Sequence, residues 1–263
     1  MSRVSILLIL IVAGMSLGAC AGGRGRSDRD SIEGRFERGI AHFEKKRWSR
    51  AGEDFKWVVT NNPASSIAAE AQYSYAECLF KQKLYIEAQV EFERLIRQWA
   101  TSTHLVEARY RIVECLVAQS PAFYFDQKST RDAIEELQGF VDDFPASLQR
   151  KEAEERIREL REKIANKYYE SGRLYLKWRR SQSARLYLEN ILSQYYDTSY
   201  ADKARVGIVV SYILEEDLEN ARRYLEENTN KFNDERLVTE ATDYIEMAAN
   251  GKFKFSFYIK LYR

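Results

Sequence analysis

Glu70–Gln82 reads EAQYSYAECLFKQ, and Glu107–Gln119 reads EARYRIVECLVAQ. The second stretch lies 37 residues after the first and repeats seven of its thirteen positions: Glu, Ala, Tyr, Glu, Cys, Leu and Gln. A fixed period of this length marks an array in which one supersecondary unit stacks on the next. Only three prolines (Pro63, Pro121, Pro145) and twelve glycines stand in 263 residues, and five of those glycines fall in the first 25. So few turn formers argue against an all-β sandwich or barrel and favour long helices. The chain is 45% apolar and 13% aromatic, enough to build a sizeable core. With 41 Lys+Arg against 40 Asp+Glu, it has no excess positive charge to meet nucleic-acid phosphates.

Outward from the repeat, the frame Gly39-x3-Phe43-x4-Trp48-x2-Ala51-x3-Phe55-x7-Pro63 matches the tetratricopeptide (TPR) pattern. Its physical content is a helical hairpin. Gly39 lets the first helix approach the second, Trp48 packs across the turn, and Ala51 is the small residue at the crossing. Phe55 fills the core one turn later, and Pro63 stops the helix. The frame returns as Ala76, Phe80, Tyr85, Ala88, Phe92, then as Ala133, Leu137, Phe140, Pro145. Two further copies are Gly172, Leu176, Ala184, Leu188, Ile191 and Val209, Ile213, Leu218, Ala221, Leu225. The key alanines stand 37, 45, 51 and 37 residues apart, so a long loop is expected around 119–129 and a lengthened helix near 149–169. In that helix Glu152/Arg156, Glu154/Arg158 and Glu159/Lys163 are i,i+4 pairs of favourable polarity, the mark of a solvated face. The expected fold is all-α, a TPR-like α-solenoid of about five helical hairpins with a short C-terminal extended segment.

The first residues read as an address. Arg3 supplies a positive start, Val4–Ala13 is almost continuously apolar, and Gly14–Ala19 is small and weakly polar. That apolar run is too short to cross a bilayer core, which takes about 20 helical residues. Leu17-Gly18-Ala19-Cys20 then resembles the lipobox of bacterial lipoproteins. The resemblance implies acylation of the Cys20 thiol and cleavage before it. Ala21 after the cysteine, rather than Asp, resembles the outer-membrane default. Residues 21–30, AGGRGRSDRD, read as a flexible tether. The expected layout is a signal peptide over 1–19, a tether over 20–30, N-terminal repeats over 31–147, C-terminal repeats over 148–250 and a tail over 251–263.

The stretch Asp126–Pro145 (DQKSTRDAIEELQGFVDDFP), followed by Ala153–Arg161 and Ala165–Leu192 and then YYDTSYADKA, resembles the BamD family. These are TPR lipoproteins of the outer-membrane β-barrel assembly (BAM) complex. The resemblance covers roughly residues 30 to 230. It implies a non-enzymatic scaffold, lipid-anchored on the periplasmic side of the outer membrane. The N-terminal repeats would receive unfolded outer-membrane protein segments, and the C-terminal repeats would dock a β-barrel assembly subunit. The alternative is another periplasmic TPR lipoprotein that scaffolds cell-wall synthesis or a secretion or pilus apparatus.

The repeat frame places candidate groove residues on the first helix of each hairpin. Phe36, Tyr73 and Tyr110 stand at one equivalent position, Phe43 and Phe80 at a second, and Ile40, Glu77 and Glu114 at a third. Aromatic rings beside carboxylates suit a peptide, with rings as anchors and carboxylates fixing register. The same stripe also fits core packing between neighbouring helices. Arg179, Arg180 and Arg185 are the docking candidates, because a guanidinium fork binds carboxylates bidentately.

The tail GKFKFSFYIKLYR alternates Phe253, Phe255, Phe257, Ile259 and Leu261 with Lys252, Lys254, Ser256, Tyr258 and Lys260. That period of two is a strand pattern, expected to add to a partner's sheet edge, to lie on anionic lipid, or to fold onto the last repeat. Cys78 and Cys115 are read as buried small hydrophobes rather than a disulfide. His42 and His104 have no nucleophile set beside them in sequence, so no catalytic triad is supported. No metal, cofactor or small-molecule substrate is expected.

Overall fold

A computed structural model describes residues 31–256 and Tyr258. Within them the fold is all-α, as the repeat frame requires. The signal peptide, Cys20 and the tether lie outside the described residues. The chain divides into two compact units, which meet in sequence at Gln119 and Ser120. The functional boundary expected from the repeat frame lies later in the chain, between Ser147 and Leu148.

The first unit holds α1 (Ile32–Glu44), α2 (Trp48–Asn61), α3 (Ala68–Lys81), α4 (Tyr85–Gln98) and α5 (Leu105–Gln119). Each packs antiparallel on its neighbour in chain order. The second unit holds α6 (Lys128–Asp143), α7 (Arg150–Lys177), α8 (Ser181–Gln194), α9 (Tyr200–Leu214), α10 (Leu218–Asn228) and α11 (Glu235–Ala249). A one-turn 3-10 helix, Thr229–Lys231, joins the last two. The third expected hairpin is thus divided, its first helix in one unit and its second in the other. The lengthened helix is α7, which begins where expected and runs without a break into the first helix of the fourth hairpin.

Small residues set the helix crossings. The frame alanines Ala51, Ala88, Ala133, Ala184 and Ala221 are all fully buried. A Cβ on Gly39 would lie 2.7 Å from the Phe55 ring, and one on Gly172 would lie 2.8 Å from Leu188. In both hairpins the glycine makes room for the large residue that the frame places opposite it.

The hairpin turns share one geometry. Lys46, Lys83, Arg179 and Glu216 all sit at φ between 55° and 64°, the left-handed region. Each donates its N–H to the carbonyl three residues back, and the next N–H reaches five back, as in Lys83 to Phe80 (2.9 Å) and Leu84 to Leu79 (3.0 Å). This is the Schellman closure, which satisfies the last carbonyls of the first helix. Glycine is the usual occupant, because a Cβ costs about 1–2 kcal/mol in that region. Lys83→Gly is therefore expected to raise stability by about 0.5–1 kcal/mol, after the larger unfolded-state entropy of glycine is subtracted. Thermal melting checks it; a lower Tm would contradict the strain reading.

In the second unit α9 is the central helix. Eleven of its fifteen residues are buried, including Val206, Ile208, Val209 and Val210, because α7, α8, α10 and α11 all pack around it. A helix covered on every side has no polar face. It carries a buried ion pair, Asp202–Arg205, at 2.7 Å.

The tail departs from the strand expectation. Gly251, at φ 69°, closes α11, and Lys252 and Phe253 donate to the Met247 carbonyl. Phe255, Ser256 and Tyr258 are then helical. Tyr258 is fully buried, with its hydroxyl 3.4 Å from that of Tyr169 and its ring against Tyr244. Of the three dispositions open to the tail, its described residues take the fold-back onto the last helices. The physical reason is a ready socket: Gly207 lacks the Cβ that would sit 3.0 Å from the Tyr258 hydroxyl.

Candidate functional site

The expected groove residues separate into three kinds. Phe36, Glu77 and Tyr110 are buried, at 9%, 6% and 6% exposure. Phe36 packs on Phe55, with ring centroids 5.6 Å apart. Phe43 and Phe80 are half-buried and serve the hairpin turns, edge-on to Trp48 at 4.8 Å and to Tyr85 at 5.4 Å. Tyr73 is half-buried, stacked on His104 at 4.4 Å and tilted against Phe92 at 5.7 Å. Burial pushes its phenol up to about 12, so it stays protonated. Ile40 remains exposed. Most of the stripe is therefore the packing seam of successive hairpins.

The two candidate carboxylates, Glu77 and Glu114, both face Arg111. Its Nε donates to Glu77 at 2.5 Å, another nitrogen donates to Glu114, and the guanidinium lies 5.1 Å over the Phe80 ring. Arg111 was not singled out from sequence. The signal was there, since position 111 is one turn from both 107 and 114 on the same helix. Arg111 draws the row together: Glu77 and Glu114 are already satisfied within the unit, so any ligand would have to displace a charged pair to use them.

A second polar cluster in this unit is built on Asp54 of α2, 4% exposed. Arg38 donates its Nε to both carboxylate oxygens, at 3.0 and 3.1 Å, Arg35 reaches Oδ1 at 3.4 Å and His42 Nδ1 lies 3.2 Å from Oδ2. Burial pushes the Asp54 carboxyl up, but Arg38, Arg35 and His42 together hold it below its ordinary value of 3.8. A carboxylate depressed in the folded state contributes stability that is complete above its unfolded value and is lost as pH falls through the folded one. The first unit is expected to lose stability below about pH 4, and Asp54→Asn to flatten that acid limb. Urea melts of both proteins between pH 3 and 7 check it; parallel curves would contradict it.

Cys78 and Cys115 are free, buried thiols, each pushed up to about 12 by burial. Among the described residues, no group of three His, Cys, Asp or Glu could hold a metal ion, and no helix is long and apolar enough to cross a membrane.

In the second unit, Arg185 is not an open docking residue. Its guanidinium pairs with Glu215 at 2.8 Å, donates to Ser211 at 3.0 Å and lies 4.5 Å over the Tyr212 ring. It braces α8 against α9. Arg179 and Arg180 are exposed at the α7–α8 turn, where they line a shallow cleft of about 250 Å³ with Glu215.

A larger cleft of about 740 Å³ lies among α6, α7 and the segment after α8. Ile134, Ile157 and Tyr195 give it apolar lining, and Arg131, Glu135, Gln138, Asp142 and Asp197 give it polar edges. Arg161 is fixed there by Asp197, at 2.6 and 2.9 Å, and by the Gln194 carbonyl at 2.7 Å. The Arg161 hydrogen bonds hold the Asp197 carboxyl below its ordinary value. Tyr196 stands exposed at the rim. Gly139, inside α6, has nothing within 4 Å of where a Cβ would stand, so no packing requires a glycine there. Its bare backbone lines the cleft. The cleft residues all lie in the stretches that carry the family resemblance, but no pattern in the sequence assigns any of them a site role, because α6, α7 and the 195–197 segment are joined only by the fold.

None of the curated proteins matches this chain. Among solved structures, a MamA protein is similar at 16% identity and a TM-score of 0.34, over 76% of this chain and 91% of that one. A tetratricopeptide repeat protein from Parabacteroides merdae ATCC 43184 is similar at 13% identity and a TM-score of 0.36, over 84% of this chain and 74% of that one. The family model YfiO, described as outer membrane lipoprotein, matches residues 29–209, from just before α1 into α9. That span is more than two thirds of the chain and takes in every residue lining the 740 Å³ cleft and all five helices of the first unit. The chain belongs to the YfiO outer membrane lipoprotein family.

Proposed function

We propose that this protein is a lipid-anchored scaffold of the outer-membrane β-barrel assembly machinery, a BamD-like subunit on the periplasmic face. The family match over residues 29–209 carries the reading. It is supported by the lipobox-like Leu17–Cys20, in which Cys20 takes the lipid, and by stacked hairpins whose exposed features suit polypeptide ligands. The work is binding, with no chemical step and no cofactor beyond the covalent lipid.

The second unit docks the β-barrel assembly subunit. Its cleft offers the bare backbone at Gly139, an exposed ring at Tyr196 and charges of both signs at the rim. Arg179 and Arg180 offer a second, separate contact at the α7–α8 turn, about 25 Å along the hairpin from Arg161, while Arg185 keeps α8 and α9 in register. The first unit receives unfolded outer-membrane protein segments along α1, α3 and α5, where Ile40 and the partly exposed Phe43, Tyr73 and Phe80 are the accessible anchors.

Photo-crosslinking in intact cells tests both halves. A crosslinker at Tyr196 is expected to trap the assembly subunit, and one at Ile40 to trap unfolded client chains. Trapping of a cell-wall synthase or a secretion component from Tyr196 would overturn the assignment.

A further inference from the structure

Between α5 and α6 the chain makes a reverse turn in which Phe125 N–H donates to the Ala122 carbonyl at 3.1 Å. The two corner residues are Phe123 and Tyr124, and Phe125 follows. Turn corners favour Gly, Pro, Asn, Asp and Ser, which supply backbone freedom or local hydrogen bonds. Here three consecutive aromatic residues stand instead, and Tyr124 and Phe125 are 66% and 57% exposed. Their rings contact one another, at 5.5 Å between Phe123 and Tyr124 and 4.6 Å between Tyr124 and Phe125. They form one compact apolar wedge rather than scattered surface residues.

The turn is held from behind. Gln127, almost fully buried, donates to the carbonyls of Ala122 (2.9 Å) and Phe125 (3.1 Å) and accepts from the buried Thr130 hydroxyl (2.7 Å). From α7, Lys163 Nζ donates to Ser120 Oγ at 2.9 Å and Lys167 Nζ donates to the Phe125 carbonyl at 2.5 Å. The backbone that carries the exposed rings is thus fixed before any ligand arrives, so binding has only the ring rotamers left to order.

Those clamps also surround the wedge with positive charge. Lys128 and Arg131 begin α6, and Lys163 and Lys167 come from α7; Asp126, Asp132 and, one turn beyond Arg131, Glu135 are the acidic groups near them. Four cations against three carboxylates leave the collar basic. Apolar rings at a tip with lysines behind them are the arrangement that seats at a bilayer interface, rings among the upper acyl chains and ammonium groups at anionic headgroups. The family places this protein at a membrane. We propose that Phe123–Phe125 is a second membrane contact of this chain, a wedge that enters an anionic lipid surface independently of the covalent anchor.

The test uses the full chain carrying Tyr124→Trp on vesicles of phosphatidylethanolamine and phosphatidylglycerol at about three to one. Subtracting the spectrum of the unsubstituted chain isolates the new indole. Its emission is expected to shift to the blue on binding and to fall at least twofold when the acyl chains are brominated. Phe123→Ser/Phe125→Ser in the same reporter should abolish the quenching at unchanged Tm, and Leu148→Trp, fully exposed elsewhere in the unit, should not be quenched. Emission at position 124 that ignores bromine overturns the proposal. So does an indole that shifts only when a protein of the cell envelope is added, which would make the turn a protein-docking element instead.

Discussion

Replacing Asp202 by alanine should lower the stability of the second unit by about 3–5 kcal/mol, the cost of leaving a buried charge without its partner. Asp202 and Arg205 are 6% and 8% exposed on the central helix α9. One Asp202 oxygen accepts from Arg205 at 2.7 Å, and the other accepts the backbone N–H groups of Asn233 and Asp234, at 2.8 and 3.0 Å. The carboxylate therefore does two things. It neutralises Arg205, and it ties the chain leading into α11 back to α9. In Asp202→Ala the guanidinium loses its carboxylate and keeps the Phe232 ring, 5.6 Å away, and two backbone donors lose their acceptor. Asp202→Asn should cost less, since an amide oxygen can still accept one of those bonds. Urea melts followed by circular dichroism check the order. An alanine variant as stable as the parent would show the pair to be dispensable.

Leu188→Ala should be the most costly aliphatic truncation in the chain, about 4–5 kcal/mol. The loss from such a truncation depends on whether neighbours can close the cavity. Leu188 is fully buried on α8, and its methyl groups press against the sites where Gly172 and Gly207 would carry Cβ atoms, at 2.8 and 2.9 Å. Two glycines have no side chains with which to fill the space, and the backbones of α7 and α9 are fixed by their other contacts. Adding Gly172→Ala to the truncated protein should recover part of the loss, whereas Gly172→Ala alone should destabilise by about 1–3 kcal/mol through overpacking. The opposite sign of one substitution in two backgrounds is the diagnostic. A Gly172→Ala change that destabilises equally in both would mean that Leu188 does not set this crossing.

The fold was legible because its signal is local and repeated. The Gly39–Phe55 frame names the helix crossing directly, and the buried alanines and the close Gly39–Phe55 and Gly172–Leu188 approaches follow from it. The last helix, α11, is likewise bounded by local signals, with Asp234 capping its start and Asn250 its end. The left-handed turn residues escaped notice because they are lysine, arginine and glutamate, not glycine. The tail misled for a related reason. Alternation of Phe and Lys fits a strand, but a socket made by Gly207, Tyr169 and Tyr244, residues 51 to 89 positions upstream or close by in α11, offers Tyr258 more burial than a lone strand can find.

The site was less legible. Rows of aromatics at helical spacing specify seams as readily as grooves: Phe36 is spent on Phe55, and Phe43 and Phe80 give one edge to Trp48 and Tyr85 and keep only part of their rings accessible. Charges were harder still, since Arg111 and Asp197 show their roles only once the partners Glu77 and Arg161 have been brought beside them. The 740 Å³ cleft combines three segments spread over 131–197, a range that no local pattern joins.

The most direct test of the scaffold assignment is affinity purification of the tagged, membrane-extracted protein, followed by identification of what comes with it. A β-barrel assembly subunit at near-equal amount, lost when Tyr196 and Arg131 are both replaced by glutamate without loss of fold, is the expected result. Recovery instead of cell-wall synthesis or secretion proteins, with no barrel-assembly subunit present, would contradict it.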